Sequence, residues 1–321
     1  MKNLRVVFMG TPEFAVAPLG SLLMNGYNIV SVVTSPDKPA GRGRSVTKSA
    51  VKLFAESSYL PILQPENLKN PVFIERLKRL NPDVFVVVAF RMLPREVWEI
   101  PPRGTINLHA SLLPQYRGAA PINHVIINGE SMTGVSTFLI DDKIDTGNIL
   151  LRQEVPVFPF EDAGDLHDKL MKHGARLVIK TLEAIAGNWI KPQAQSNFMI
   201  PGEIIKQAPK ILPEYCIIDW NNEPQKIHNF VRGLSPYPCA KSVFMNEKKS
   251  ISFKIYESQT ETEKHLLQPG KIVSDGKSFL KIACKDGFIR ILNLQIEGKR
   301  RMTTEEFLRG FNMDEYSVPI N

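Results

Sequence analysis

The sequence predicts an α/β protein. It has a doubly wound, mostly parallel, Rossmann-like sheet in residues 1–190, a linker at 191–209, and a smaller C-terminal OB-like β-barrel domain at 210–321. Three observations lead there. Residues 1–190 alternate β-branched apolar runs with amphipathic helical stretches, residues 191–209 lose that periodicity, and the region beyond residue 250 shows short alternating runs of strand length. At 321 residues, 43% hydrophobic and 23% charged, the chain is long enough to bury two cores.

The chain runs almost directly into a strand at residues 5–9, which shares with 29–34 and 84–89 the near-continuous apolar character of strands buried on both faces. Gly10-Thr11-Pro12-Glu13-Phe14 ends the first strand and opens a helix over 14–25. It lacks the Gly-x-Gly-x-x-Gly spacing that lets backbone approach a pyrophosphate, which disfavours a nicotinamide enzyme. Helices follow at 49–58 and 72–80, the second opened by Pro71. Residues 104–109 form a short strand entering a loop. Pro121 begins a helix with Ile122, Val125 and Ile126 on one face, and a long helix covers 165–186. Lys191-Pro192-Gln193-Ala194-Gln195-Ser196 turns polar and is followed by Pro201-Gly202 and Pro209, the composition of a linker. A helix at 223–231 and alternating runs at 250–256, 271–273, 278–284 and 288–295 build the small barrel.

Several function classes are excluded. The N-terminal apolar run is too short for a secretion signal, and no later run approaches the ~20 residues of a membrane span. Cys216, Cys239 and Cys284 are few, odd in number and widely spaced, which suits a reducing cytoplasm and opposes a disulfide framework. No histidine has metal-ligand spacing, so no metal is expected. His124 can line the cleft, whereas His167, His173, His228 and His265 read as surface or structural residues. The net charge of +7 favours a polyanionic partner. It is shared evenly, since residues 206–321 hold 18 Lys+Arg against 14 Asp+Glu, so the C-terminal half is not a strongly basic module by itself.

The chemistry concentrates in Asn107-Leu108-His109-Ala110-Ser111-Leu112-Leu113-Pro114-Gln115-Tyr116-Arg117-Gly118-Ala119-Ala120-Pro121, answered by Asp145 in Asp145-Thr146-Gly147. Residues two apart on a strand share a face, so Asn107 and His109 project together. An amide NH2 can meet an oxyanion, an imidazole can donate or relay a proton, and a carboxylate can orient that imidazole. Spacing alone leaves two alternatives open. His109 reads equally as a hydrogen-bonded strand-end residue, and Asp145 as a turn former before Thr146-Gly147.

Asn-x-His, then Ser-Leu-Leu-Pro-x-Tyr-Arg-Gly-Ala-Ala-Pro, then Asp-x-Gly resembles the signature of folate-dependent formyltransferases across the first half of the chain. The resemblance implies that Asn107, His109 and Asp145 are a catalytic trio and that 10-formyltetrahydrofolate is the formyl donor. Relatives of this kind act on glycinamide ribonucleotide, aminosugars or methionyl-tRNA.

A second segment chooses among them. Ser35-Pro36-Asp37-Lys38-Pro39-Ala40-Gly41-Arg42-Gly43-Arg44-Ser45-Val46-Thr47-Lys48, rich in Pro, Gly and basic residues, is expected to be a mobile loop without regular structure. Its charges suit a phosphate backbone, although a solvated surface loop is the simpler reading of charge alone. Pro-Asp-x-Pro-x-Gly-Arg-Gly resembles the insertion by which the methionyl-tRNA branch grips the acceptor stem of the initiator tRNA, with Arg42 at the key arginine position.

That resemblance implies tRNA contacts from Lys38, Arg42, Arg44 and Lys48, to which the basic cluster Lys299, Arg300 and Arg301 adds candidates. It places Gly10, Thr11, Pro12 and Phe14 near the methionyl end, and the folate pocket at Phe90, Arg91, Met92 and Leu93 with Ser111, Leu112, Leu113 and Pro114. Phe90-Arg91-Met92 departs from the Tyr-Gly-x usual there, putting a bulky cation where relatives have bare backbone. The implied partner is methionyl initiator tRNA, with no membrane or obligate protein partner. The alternatives are an aminosugar or other small-amine formyltransferase, which lacks the basic insertion, and a non-catalytic tRNA-binding protein, which the intact trio opposes.

Overall fold

Buried β-branched runs build the first sheet of the computed structural model, which describes residues 3–40, 45–313 and 316–319. These residues separate into two units. The first contains the chain up to Gly118, Met132–Pro156 and His167–Gln207, and the second contains Ala119–Ser131, Val157–Leu166 and the chain from Ala208 onward.

In chain order the first two-thirds holds β1 (Arg5–Gly10), α1 (Val16–Met24), β2 (Asn28–Val33), β3 (Lys38–Ala40), β4 (Ser45–Thr47), α2 (Ala50–Ser57), β5 (Ile62–Leu63), α3 (Pro71–Arg79), β6 (Val84–Val88), α4 (Arg95–Trp98) and β7 (Thr105–His109). It continues with α5 (Pro121–Ile127), β8 (Met132–Leu139), β9 (Ile149–Pro156) and α6 (Ala163–Ala186). The main sheet has the order β5-β2-β1-β6-β7-β8-β9. Its first five strands are parallel, and β8 and β9 extend it antiparallel. Every residue of β6 is buried, as a central parallel strand covered on both faces requires. On one face Val7, Met9, Phe85 and Val87 pack with Phe73 and Leu77 of α3. Asn70 caps α3 by accepting from the Val72 amide at 2.9 Å, with Pro71 in its first turn.

Gly10 pairs with Val88, and Val88 with Leu108, so the carboxyl ends of β1, β6 and β7 finish side by side. Gly10 is needed there because a Cβ would lie 2.7 Å from the Ala15 Cβ, closing the tight turn out of β1. β8 and β9 lack the apolar continuity of the parallel strands. Thr133, Ser136 and Thr137 of β8 are nevertheless buried, and hydrogen bonds make this tolerable: Ser136 Oγ donates to the Ser111 carbonyl at 2.6 Å, and the Thr137 and Thr181 hydroxyls meet at 2.8 Å.

The basic segment corrects an expectation. Far from lacking regular structure, it contains an antiparallel ribbon in which Lys38 pairs with Thr47 and Ala40 with Ser45. Pro39 is compatible because each strand of a two-stranded ribbon keeps one edge free of hydrogen bonding. The base is anchored by Asp37, which accepts from Lys52 Nζ of α2 and from Gln64 Nε2 at 2.8 Å. These partners, Lys52 first, hold the Asp37 carboxyl below its ordinary range.

In the second unit, α7 (Pro224–Leu234) packs against an antiparallel sheet of β10 (Ala240–Met245), β11 (Ser250–Glu261), β12 (Ile272–Ser274), β13 (Leu280–Cys284), β14 (Gly287–Ile296) and β15 (Met302–Thr303), followed by α8 (Thr304–Leu308). The sheet runs β10-β11-β14-β13-β12 with β15 on β14, an OB-like half-barrel. Trp220, Phe244, Phe253 and Ile255 sit in its core, and Trp220 Nε1 donates to Ser242 Oγ at 3.1 Å, so the indole is buried with its polar end satisfied.

Gly134 of β8 admits no side chain, because a Cβ would lie 2.1 Å from the Gln153 carbonyl oxygen and 2.5 Å from Leu112 Cδ2. Gly134→Ala is therefore expected to cost roughly 1–3 kcal/mol by overpacking, read as a lower urea midpoint with unchanged slope.

His228 is pushed down to about 4 by burial and, secondarily, by the Arg232 cation, while its Nδ1 meets Ser258 Oγ at 3.0 Å. A histidine with a depressed native pKa takes up its proton preferentially in the unfolded chain. Stability is thus complete above the ordinary histidine pKa of about 6.5 and declines as pH falls toward 4. His228→Gln is expected to flatten that decline in urea melts compared between pH 7 and pH 5.

Candidate active site

β7 delivers the first two site residues. His109 lies opposite Ser136 of β8 and is 6% exposed, whereas Asn107, two residues earlier on the same face, is half-buried. Among the described residues the Asn107 carboxamide has no hydrogen-bond partner, which leaves its NH2 available at the strand end. His109 Nε2 lies 2.8 Å from the Tyr116 carbonyl oxygen. A carbonyl oxygen only accepts, so Nε2 carries a proton in this contact. Nδ1 faces Asp145 Oδ2 at 3.7 Å, an ion-pair separation once the ring is protonated.

Asp145 reaches this position from a turn after β8. Its φ of 55° is left-handed, a conformation that Asp tolerates better than most side chains. Asp141 builds the turn by accepting from the Lys143 amide at 3.0 Å and the Thr146 hydroxyl at 2.7 Å. The Gly118 amide donates to Asp145 Oδ2 at 2.9 Å, so one carboxylate oxygen is shared between that amide and the imidazole. Asn107, His109 and Asp145 thus converge at the carboxyl edge of the sheet.

Two residues of the same network escaped sequence reasoning. Gln195 is buried at 4% exposure, donates to the carbonyls of Asp145 and Gly147, and accepts from Arg117. Arg117 stood inside the quoted signature without a role, and nothing in the polar stretch around Gln195 distinguishes it from a solvated linker residue. Nearby residues of that stretch are also stitched down. Gln193 exchanges backbone hydrogen bonds with Ile149, the Tyr116 amide donates to the Lys206 carbonyl at 2.7 Å, and the Lys206 amide donates to Gln115 Oε1 at 2.8 Å.

The remaining candidates differ in how free they are. Ser111 Oγ donates to the Gln115 carbonyl, the Leu113 amide donates to Ser136 Oγ, and Leu113 is fully buried against Phe138 and Ile149. Pro114 is buried, and half-buried Leu112 abuts Gly134. Past β6, Phe90 is half-buried, Met92 is 66% exposed and Leu93 belongs to the core. The Arg91 guanidinium donates to the carbonyls of Pro65 and Glu66 at 2.7 and 2.9 Å, and burial lowers its pKa. Thr11 and Pro12 lie in the turn after Gly10, and Phe14 is buried with its ring edge-on to His167 at 5.3 Å.

Among the basic candidates, Lys38 is exposed at the ribbon, and Lys48 pairs with Glu56 at 2.8 Å. Arg42 and Arg44 lie outside the described residues. In the second unit Lys299 is exposed, Arg300 pairs with Glu306 at 2.8 Å and Arg301 stacks over Tyr256 at 4.5 Å. A groove of about 760 Å³ there is lined by Lys241 and Lys254 but also by Glu214 and Glu297, a mixed field rather than a track for phosphates. His124 is buried, with Nε2 on the Pro209 carbonyl at 3.0 Å, and burial lowers its pKa. Among the described residues no three His, Cys, Asp or Glu side chains come together to hold a metal ion, and no helix is long and apolar enough to cross a membrane.

Comparison with known proteins gives a consistent result. Residues 3–182 match the family described as formyl transferase, and residues 210–312 match its C-terminal domain. A methionyl-tRNA formyltransferase of Flavobacterium johnsoniae is 50% identical over 98% of this chain and 98% of its own length. One from Bacteroides fragilis is 49% identical over 98% and 97%. Among solved structures, an N-formyltransferase of Helicobacter canadensis in complex with folinic acid and dTDP-3-aminofucose superposes with a TM-score of 0.63 at 21% identity. It covers 90% of this chain and 98% of that one, a likeness of fold.

Proposed function

The chain belongs to the formyl transferase family, and from that premise we propose that it formylates the α-amino group of methionyl initiator tRNA with 10-formyltetrahydrofolate as donor. The full-length similarity to methionyl-tRNA formyltransferases supports the substrate. The observation that carries the chemistry is the convergence of Asn107, His109 and Asp145 at the edge where β1, β6 and β7 end.

The folate supplies an activated formyl group. Residues near the strand ends suit such a ligand: half-buried Phe90 and Leu112 offer apolar surface, and among the described residues the Asn107 amide has no partner and so remains a donor. As the amine nitrogen bonds to the formyl carbon, negative charge gathers on the carbonyl oxygen, and the Asn107 NH2 donates to it. His109 exchanges its Tyr116 contact for the reacting groups and shifts its own proton to Nδ1 beside Asp145, so that the freed Nε2 takes up the proton that the amine sheds. Asp145 stabilises the resulting imidazolium and keeps the ring in place. The imidazolium returns that proton to the donor nitrogen as the carbon–nitrogen bond to the donor breaks, so the folate leaves as a neutral amine and the formyl group stays on the methionine.

The basic ribbon is the tRNA-facing element in this reading, and its held base supports the role. With Asp37 tied to Lys52 and Gln64, the neighbouring exposed Lys38 is presented from a fixed base, which lowers the entropy lost on binding. The decisive assay compares formylation of charged initiator tRNA, charged elongator tRNA and free aminosugars.

Asn107→Ala, His109→Ala and Asp145→Ala are each expected to lower kcat by about two orders of magnitude or more. Asn107→Ala should leave the melting temperature unchanged, because its amide has no partner among the described residues, whereas His109→Ala should cost on the order of 1 kcal/mol through the lost Tyr116 contact. Formylation kinetics and circular dichroism check both parts.

Arg42→Ala is expected to reduce kcat/KM for tRNA by about tenfold at low salt, with a smaller loss at high salt and no change in KM for the folate. Initiator tRNA kinetics at two ionic strengths test this. Unchanged kinetics would return the small-amine alternative.

A further inference from the structure

A buried amide is tolerated when both of its ends are satisfied, and Gln195 meets that condition with partners from the catalytic loop and the catalytic turn. Its Oε1 accepts from Nε and Nη2 of Arg117 at 3.0 and 2.7 Å, and its Nε2 donates to the carbonyls of Asp145 and Gly147 at 2.8 and 2.9 Å. A guanidinium can only donate and a carbonyl can only accept, so these neighbours dictate which end of the amide is which. The two carbonyls bracket Thr146, in the turn whose left-handed Asp145 backbone persists only where its surroundings hold it. On the other side Arg117 precedes Gly118, whose amide grips the same Asp145 carboxylate at 2.9 Å.

We propose that Gln195 is a positioning residue for formyl transfer. By donating to both carbonyls while Arg117 holds its oxygen, it fixes the Asp145 turn so that the carboxylate faces His109. The inference rests on the reading of Asn107, His109 and Asp145 given above, and Gln195 itself touches no reacting atom. At a His109–Asp145 separation of 3.7 Å there is little slack. A shift of about an ångström in a supporting group can cost on the order of a hundredfold in rate.

Gln195→Glu isolates the donors. A carboxylate still accepts from Arg117, with added charge, but can no longer donate to the Asp145 and Gly147 carbonyls. In the full-length enzyme Q195E, assayed well below its melting temperature, is expected to lower kcat at least about tenfold with KM for tRNA and folate within about threefold, and to melt somewhat earlier because two carbonyls lose their donor. Combined with Asp145→Ala, it should cost less than about threefold more, because a residue acting through Asp145 has nothing left to position. Gln195→Ala should lower kcat similarly and melt earlier; if it does not fold, Q195E decides alone. Wild-type kcat in Q195E, a change confined to KM, or a full additional loss in the Asp145→Ala background would each overturn the proposal. A wild-type enzyme that formylates no methionyl-tRNA would overturn the functional reading instead, and the wild-type control separates the two.

Discussion

The site depends on the register that ends β1, β6 and β7 on one line. Pairing of Gly10 with Val88 and of Val88 with Leu108 makes three chain segments emerge together at one edge, where the doubly wound topology leaves a crevice. From β7 onward the sheet turns antiparallel, which sets Ser136 opposite His109. The Ser136 hydroxyl then receives the Leu113 amide and donates to the Ser111 carbonyl, so the neighbouring strand shapes the loop that leaves His109. That loop carries Tyr116 and Gly118, whose carbonyl and amide fix the imidazole and the carboxylate. A one-residue slip of β7 would turn Asn107 and His109 to the opposite face of the sheet.

The sequence made these parts visible to different degrees. The parallel strands were legible because burial on both faces demands contiguous β-branched residues, and β6 with five buried positions is the clearest instance. β8 and β9 were not, since Thr-Gly-Val-Ser-Thr and Arg-Gln-Glu dilute the apolar signal, and the buried hydroxyls are balanced by partners distant in sequence. The ribbon of β3 and β4 ran against its Pro and Gly content. It is held at its base by Asp37, Lys52 and Gln64, a tertiary constraint that local propensity does not register. Asn107 and His109 were marked by strand alternation and Asp145 by resemblance, whereas Gln195 carries no local mark at all.

Charge offered the weakest guide to function. The net +7 is real, yet many of the cations that compose it are committed within the fold. Arg300 is paired with Glu306, Lys48 with Glu56, and Arg301 lies over Tyr256, while Arg91 closes the loop at Pro65 and Glu66. The Glu306 hydrogen bond, and then its charge, raise the Arg300 pKa, a sign of mutual satisfaction. A cation already paired at the surface gains less from a phosphate than a free one, so counting Lys and Arg overstates the basic surface available to a polyanion.

The stitches between residues 115–117 and 195–207 span gaps of 78 to 91 residues in sequence. Contacts of such separation form late, because loop-closure entropy must be met before they return any stability. During synthesis, Asn107, His109 and Asp145 are all translated well before Gln195 and Lys206. The growing chain therefore holds its complete set of reactive groups while the segment that clasps them is still to be made, and the working geometry arrives only when that clasp closes.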